Sequence, residues 1–160
     1  MTNPYLSIII PTFNRVGLLH LHLRELANQT LDPKHFEIIV INYGGQDPIG
    51  MFPWKDMPYS LKFLHQENNG PASARNLGAK HAKGEVLLFV GDDCLPNRHM
   101  LFYHFLMHKQ SSKPMALQGY TDWHPGILPD DFHQWLHGNL PPTGGGLQAN
   151  WNVLKNKDGS

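Results

Sequence analysis

The sequence predicts an α/β fold, a mostly parallel doubly wound sheet with helices on both faces, and three observations carry that prediction. Apolar strand-like runs alternate with amphipathic helix-like stretches from residue 6 to residue 110. No hairpin signal separates successive strands, so each return to the sheet needs a crossover helix. The run Val86–Val90 is continuously apolar, the pattern of a central strand buried on both faces, and it stops at the adjacent carboxylates Asp92 and Asp93. In open sheets of this class, ligands bind beyond the carboxyl ends of the strands.

Leu6–Ile10 is the first strand, ended by Pro11, and Pro11–Arg15 is the loop after it. From Val16, Leu19, Leu23 and Leu26 fall at i, i+4 and i+7, which predicts a helix closing near Thr30. Phe36–Ile41 is the second strand, followed by the loop Asn42 to Pro48. Residues 48–60 mix three prolines with Met51, Phe52, Trp54 and Met57, and read as a loop with one short helical turn. Leu61–His65 is a third, weaker strand. Asn69-Gly70-Pro71 opens a helix over about 72–82, whose small residues (Ala72, Ala74, Gly78, Ala79, Ala82) allow close approach to the sheet. After Val86–Val90 a helix is expected from Pro96 to Gln110, and Met115–Tyr120 is a candidate last strand. Beyond Trp123, prolines and Gly144-Gly145-Gly146 break the pattern.

With 41% hydrophobic and 16% charged residues, the 160-residue chain is a globular domain. Thirteen basic and thirteen acidic residues cancel, which argues against nucleic acid as a partner. One cysteine, Cys94, excludes an internal disulfide. No apolar run approaches the roughly 20 residues of a transmembrane helix. No signal-peptide layout opens the chain, so a cytoplasmic location is expected, with peripheral association at the inner face of a membrane as a variant.

The predicted topology brings the loops after strands one, two and four to one sheet edge. Thr12, Asn14 and Arg15, then Asn42 and Asp47, then Asp92 and Asp93 gather there. Hydrogen-bonding groups on the first two loops suit a base and ribose, while two acids with Mn²⁺ or Mg²⁺ suit a diphosphate. The competing reading of Asp92-Asp93 is a helix cap before Pro96. Arg75, one turn inside the helix that Gly70 opens, adds positive charge near a helix N-terminus or forms a surface salt bridge. Neither G-x-G-x-x-G nor G-x-x-x-x-G-K-[ST] is present, which excludes a dinucleotide fingerprint and a P-loop.

Four segments in order, Ser7–Arg15, Gly70–Gly78, Ala82–Glu85 and Phe89–Pro96, make the sequence resemble the inverting glycosyltransferase family 2, across roughly residues 5–110. The resemblance implies a Rossmann-like GT-A fold, truncated here in its C-terminal acceptor half. It implies a nucleotide-sugar core over about 5–120 and an incomplete acceptor region over 121–160. The expected donor is a nucleotide-diphosphate sugar, UDP-sugar favoured, held with a divalent metal and transferred with inversion to a glycan or lipid-linked acceptor. Surface polysaccharide or glycoconjugate synthesis is the pathway the resemblance suggests. Pro11, Thr12, Phe13, Asn14 and Arg15 would line the nucleoside site with Asn42, Gly70 and Arg75. Asp92 would lie against ribose or metal, and Asp93 would hold the metal.

Two departures stand out. Asn42-Tyr43-Gly44-Gly45 replaces the family's acid before Gly-Ser, which leaves the base identity open, and Gly91 sits where the acidic motif often begins. The resemblance puts the general base in the acceptor half, expected beyond Ser160; Asp122, Asp130 and Asp131 do not match its context. An inactive nucleotide-sugar-binding module is therefore the alternative reading. A sugar-phosphate nucleotidyltransferase would want a glycine-rich basic loop where Pro11–Arg15 stands. Apolar surface left by the missing half makes a homodimer an expected assembly.

His104 and His108 share a helix face without a third zinc ligand in view, and are expected on its exposed side. His124 is a weaker candidate to approach the metal. Cys94, beside the acids, reads as packing with a raised thiol pKa. Trp123, Trp135 and Trp151 either stack on sugar rings or pack in a core.

Overall fold

The computed structural model describes residues 3–46 and 54–121. The chain divides into two units, residues 1–115 and 116–160. All regular structure among the described residues lies in the first: strands β1 (Leu6–Thr12), β2 (Phe36–Tyr43), β3 (Ser60–Gln66) and β4 (Val86–Phe89), and helices α1 (Val16–Ala27), α2 (Gly70–His81) and α3 (Met100–Gln110). Short 3-10 turns at Pro33–His35 and Trp54–Asp56 complete it. Asp47, Asp122, His124, Asp130, Asp131, the tryptophans at 123, 135 and 151, and Gly144–Gly146 lie outside the described residues.

The four strands form one parallel sheet in the order β3-β2-β1-β4. The chain steps one way from β1 through β2 to β3, then crosses back to place β4 on the other side of β1. The strand order therefore reverses between β1 and β4, and the crevice outside their carboxyl ends is the topological switch point.

β1 continues through Pro11, which sequence reading took as its end. The Val90 amide donates to the Ile9 carbonyl, so by the two-residue period position 11 faces the same side, beyond the last paired residue of β4. A proline there removes no ladder bond.

Leucines 19, 23 and 26 of α1 and Leu101 of α3 pack with Leu6, Ile8, Ile10, Ile38 and Val40 on one face of the sheet. On the other face α2 lays Ala74 against Ile9, Ile39 and Ile41. A Cβ at Gly78 would come within 2.5 Å of Ile9 Cγ2 and 2.7 Å of Ile41 Cδ1, so the small-residue face does set how closely α2 approaches.

Several expectations need correction. Among the described residues β4 is an edge strand rather than a central one. Val86, Leu88 and Val90 join the core, but Leu87 and Phe89 are 40% and 48% exposed. Their face is the one α2 covers, and α2 sits chiefly over β1 and β2. No helix starts at Pro96. α3 begins at Met100 because the preceding turn docks on the end of α1: Gln29 Nε2 donates to the Asn97 carbonyl, Gln29 Oε1 accepts from the Leu101 amide, and the Thr30 amide donates to the Arg98 carbonyl. Met115–Tyr120 forms no strand; its apolar stretch is cut short by Gln118-Gly119. His104 is buried beside Leu101 rather than exposed, and its ring stacks on His108 at 6.5 Å. Burial, with the neighbouring His108, holds the His104 pKa below its ordinary value.

At the opposite edge a buried polar cluster locks the α2–β4 connection. Ser7 Oγ donates to Glu37 Oε1 (2.7 Å), which also accepts from the Lys83 amide (2.6 Å), and the Gly84 amide donates to Ser7 Oγ (2.8 Å). Every partner there is matched, which is what makes a buried carboxylate tolerable. No helix among the described residues is long and apolar enough to cross a membrane.

Candidate functional site

β1 ends at Thr12, and Asn14 takes a left-handed turn (φ 51°) that swings the chain into α1. Asparagine tolerates that conformation better than most residues. Arg15 precedes the first helical turn without capping it, and its side chain reaches across the switch point. There Arg15 Nη1 lies 2.9 Å from Asp93 Oδ2 and 3.6 Å from Asp92 Oδ1. Thr12 Oγ1 donates to Asp92 Oδ2 at 2.7 Å. These contacts join residues about 80 apart in the sequence.

The two acids differ. Asp92 is enclosed (side chain 8% exposed) and oriented by the Thr12 hydroxyl. Asp93 is half in solvent (54%), as is Arg15 (52%). Neither caps a helix, so that reading falls. Gly91 leaves the space the Asp93 carboxylate folds into; a Cβ there would lie 2.7 Å from Asp93 Oδ1. Cys94 follows, and burial, reinforced by Asp93, pushes its thiol above the ordinary range.

A second cluster shares the same backbone. Phe13 stacks on Tyr43 at 5.4 Å. Asn14 Oδ1 accepts from the Gln46 amide (2.8 Å), and Asn42 grips Gly45 through both ends of its amide, at 2.7 and 2.9 Å. Gly45 is pinned between Asn14 and Asn42, with both within 2.9 Å of where its Cβ would stand. Asn42 thus shapes its loop and keeps only one donor and one lone pair for anything else. Gly44 packs against Asn68, just before Gly70, which needs its own positive φ (80°) to open α2. Arg75 is half-buried and makes no ion pair or hydrogen bond among the described residues, so the surface salt bridge is absent there. A hollow of about 220 Å³ lined by Asn42, Phe63, Leu64 and His65 lies beside β3, away from the acids.

Thr12, Arg15, Asp92 and Asp93 therefore converge; Phe13, Asn14 and Asn42 form a neighbouring group; Pro11 is buried; among the described residues no hydrogen bond or ion pair joins Gly70 or Arg75 to either group. The cation facing the acids is Arg15, where sequence reading expected a metal. Among the described residues no three His, Cys, Asp or Glu side chains form a metal-binding group. Two carboxylates do not make a closed cage, but hard oxygens at a solvent-open rim fit a cation whose remaining ligands are phosphate oxygens and water.

Sequence reasoning missed His22. It lies fully buried on α1, its Nδ1 contacting the Cys94 carbonyl, and burial holds its pKa below the ordinary value. The signal was visible: a histidine three residues after Leu19, inside the apolar stripe.

A parallel sheet whose strand order reverses at a crevice carrying buried and exposed acids, a guanidinium and an aromatic pair defines an α/β domain of the open-sheet class, in which ligands sit beyond the carboxyl ends of the strands. The chain belongs to glycosyl transferase family 2, whose profile matches residues 7–119. It is similar to the validoxylamine A glucosyltransferase of Streptomyces hygroscopicus subsp. limoneus, 39% identical over 95 residues, covering 54% of this chain and 20% of that one. Its fold is similar to that of S. aureus TarS 1-349 in complex with UDP-GlcNAc, with a TM-score of 0.61, 26% identity, and 66% and 31% coverage of the two chains. The mannosyltransferase PcManGT of Pyrobaculum calidifontis, in complex with GDP-Man and Mn²⁺, shares the fold at a TM-score of 0.55 and 24% identity, with 61% and 30% coverage. The matched stretch thus spans about a third or less of each of these proteins.

Proposed function

We propose that this domain binds a nucleotide-diphosphate sugar at the β1/β4 switch point and serves transfer of the sugar, with inversion, to a glycan or lipid-linked acceptor. The observation that carries the proposal is the junction of Thr12 and Arg15 with Asp92 and Asp93 at that crevice. The UDP-GlcNAc bound by TarS supports a UDP-sugar as the first donor to test.

In this reading the stacked Phe13–Tyr43 pair and the loop ordered by Asn14 and Asn42 border the nucleoside. Thr12 orients Asp92 through its buried 2.7 Å hydrogen bond. Asp93, with Asp92 behind it, would hold Mn²⁺ or Mg²⁺. Such a cation, when bound, neutralises charge on the leaving diphosphate. Arg15 then exchanges partners: its guanidinium leaves Asp93 for a phosphate oxygen, keeping one charge-assisted contact throughout. The acceptor oxygen attacks the anomeric carbon from the face opposite the diphosphate. The bond to the diphosphate oxygen breaks, nucleoside diphosphate leaves, and the acceptor proton passes to a carboxylate of the acceptor half.

The Arg15–Asp93 pair also favours a second reading, a binding module without transfer, because it occupies the carboxylate a metal would need. Incubation with UDP-, GDP- and dTDP-sugars in Mn²⁺, followed by assay of released nucleoside diphosphate, separates the two. Release with one base and its loss in Asp93→Ala supports the enzyme. Binding without release supports the module, and no binding of any donor overturns both.

A further inference from the structure

Along α1 the buried positions are Leu19, His22, Leu23 and Leu26, and the histidine is as enclosed (0% exposed) as the leucines. Its Nδ1 meets the main-chain carbonyl of Cys94, 72 residues away. A carbonyl only accepts, so Nδ1 carries a proton, and the neutral form of the ring here is the Nδ1–H tautomer. The lowered pKa that burial produces agrees with a neutral ring. Nε2 is buried and meets no hydrogen-bond partner among the described residues. The ring's polar connection is therefore to the loop that carries the two acids.

That loop has few other restraints on its far side. Its own amide contact, Cys94 to the Gly91 carbonyl, is long at 3.4 Å. From Cys94 to Pro96, the His22 contact is the one hydrogen bond to another element among the described residues; the next is Gln29 to Asn97. On the near side Thr12 and Arg15 grip the acids themselves.

We infer that His22 is a positioning residue, whose Nδ1–H anchors the Cys94 carbonyl to α1 and so fixes the Asp92–Asp93 turn against Thr12 and Arg15. The anchor makes α1, which already supplies Arg15 at its start, the frame for both sides of the site. The inference deepens the donor-site reading and rests on it for its consequence in binding, but the anchoring can be measured without any ligand.

Cys94 is the chain's single cysteine, so the rate at which 5,5′-dithiobis(2-nitrobenzoate) modifies it reports opening of this loop. Three variants separate the roles of the ring. His22→Leu completes the leucine stripe and removes the donor. His22→Gln places its amide where Nε2 was, and His22→Asn places it where Nδ1 was. With one hydrogen bond lost from a locally opening loop, modification should quicken about fivefold in His22→Leu and His22→Gln. It should return to within about twofold of wild type in His22→Asn, with native circular dichroism in each variant compared. Affinity for UDP in Mn²⁺ should fall about tenfold in the first two variants and recover in His22→Asn, the size of effect expected of a support to a ligand-holding side chain. Should His22→Leu fail to fold, His22→Gln against His22→Asn carries the same contrast. Equal thiol rates in all the folded proteins overturn the inference. Wild-type protein that binds no nucleotide overturns the donor-site reading instead, while the thiol rates still decide the anchor.

Discussion

Thr12→Val is the perturbation that reads the switch-point junction most cleanly. Valine keeps the shape and the β-branching of threonine, so β1 loses neither packing nor strand propensity. What disappears is the hydroxyl that donates to Asp92 Oδ2 at 2.7 Å, in a place where both residues are buried. A hydrogen bond to a charged group contributes about 1.5–3 kcal/mol, and Asp92 has little to replace it. Arg15 is 3.6 Å away and half in solvent, which makes it a weak substitute. The expected loss is therefore about 2 kcal/mol of unfolding free energy, or about 4–8 °C in Tm for a chain of this length. Urea unfolding without ligand, at neutral pH, measures it. In the Asp92→Asn background the same substitution should lose only about half as much, because the acceptor is no longer charged. A loss below about 0.5 kcal/mol in the wild-type background would refute the claim that Thr12 orients a buried carboxylate.

Three other outcomes follow from the same geometry. Arg15→Gln should change stability by less than about 1 kcal/mol, since both partners are half exposed, yet tighten Mn²⁺ binding alone and weaken UDP binding about tenfold; calorimetry with each ligand checks the opposite signs. Gly84→Ala should lose about 1–3 kcal/mol in urea unfolding, because its Cβ would stand 2.7 Å from the Ser7 amide nitrogen and 2.8 Å from the Leu6 carbonyl carbon, backbone that cannot move aside; near-neutral behaviour would contradict the close approach. His22 and His104 both have folded-state pKa values lowered from 6.5, so below that pH the unfolded chain binds protons the folded one refuses. Stability is then fully present above about pH 6.5 and falls as the pH drops below it, more steeply in wild type than in His22→Leu, as urea midpoints across pH 7.5 to 5 would reveal.

The fold was legible because its signals are short-range. Leu19, Leu23 and Leu26 show the period of a helix, Phe36–Ile41 shows a strand, and the absence of hairpin turns leaves parallel crossovers as the solution. That the two acids gather with Thr12 and Arg15 at one edge was legible too, since topology alone brings those loops there, although a metal rather than Arg15 was expected as their cation. Three things were hidden because they depend on tertiary partners. Pro96 looks like a helix start until Gln29 claims the backbone around Asn97 and Leu101. Val86–Val90 looks like a central strand because apolar composition does not say which strands neighbour it. Asn42 looked like a ligand group, but its amide closes on Gly45, and nothing in the string of residues distinguishes those uses. His22 could have been found, as a polar residue in an apolar stripe, but its partner could not.

The central claim is that Asp93 with Asp92 supports a cation that grips a nucleotide's diphosphate at the β1/β4 edge. Calorimetric titration of UDP into wild-type protein and Asp93→Ala, each in Mn²⁺ and in chelator, tests it most directly. The account predicts binding to wild type in Mn²⁺ alone, with heat lost on chelation and in Asp93→Ala. Equal binding of UDP in chelator, or binding that Asp93→Ala leaves unchanged, would contradict it.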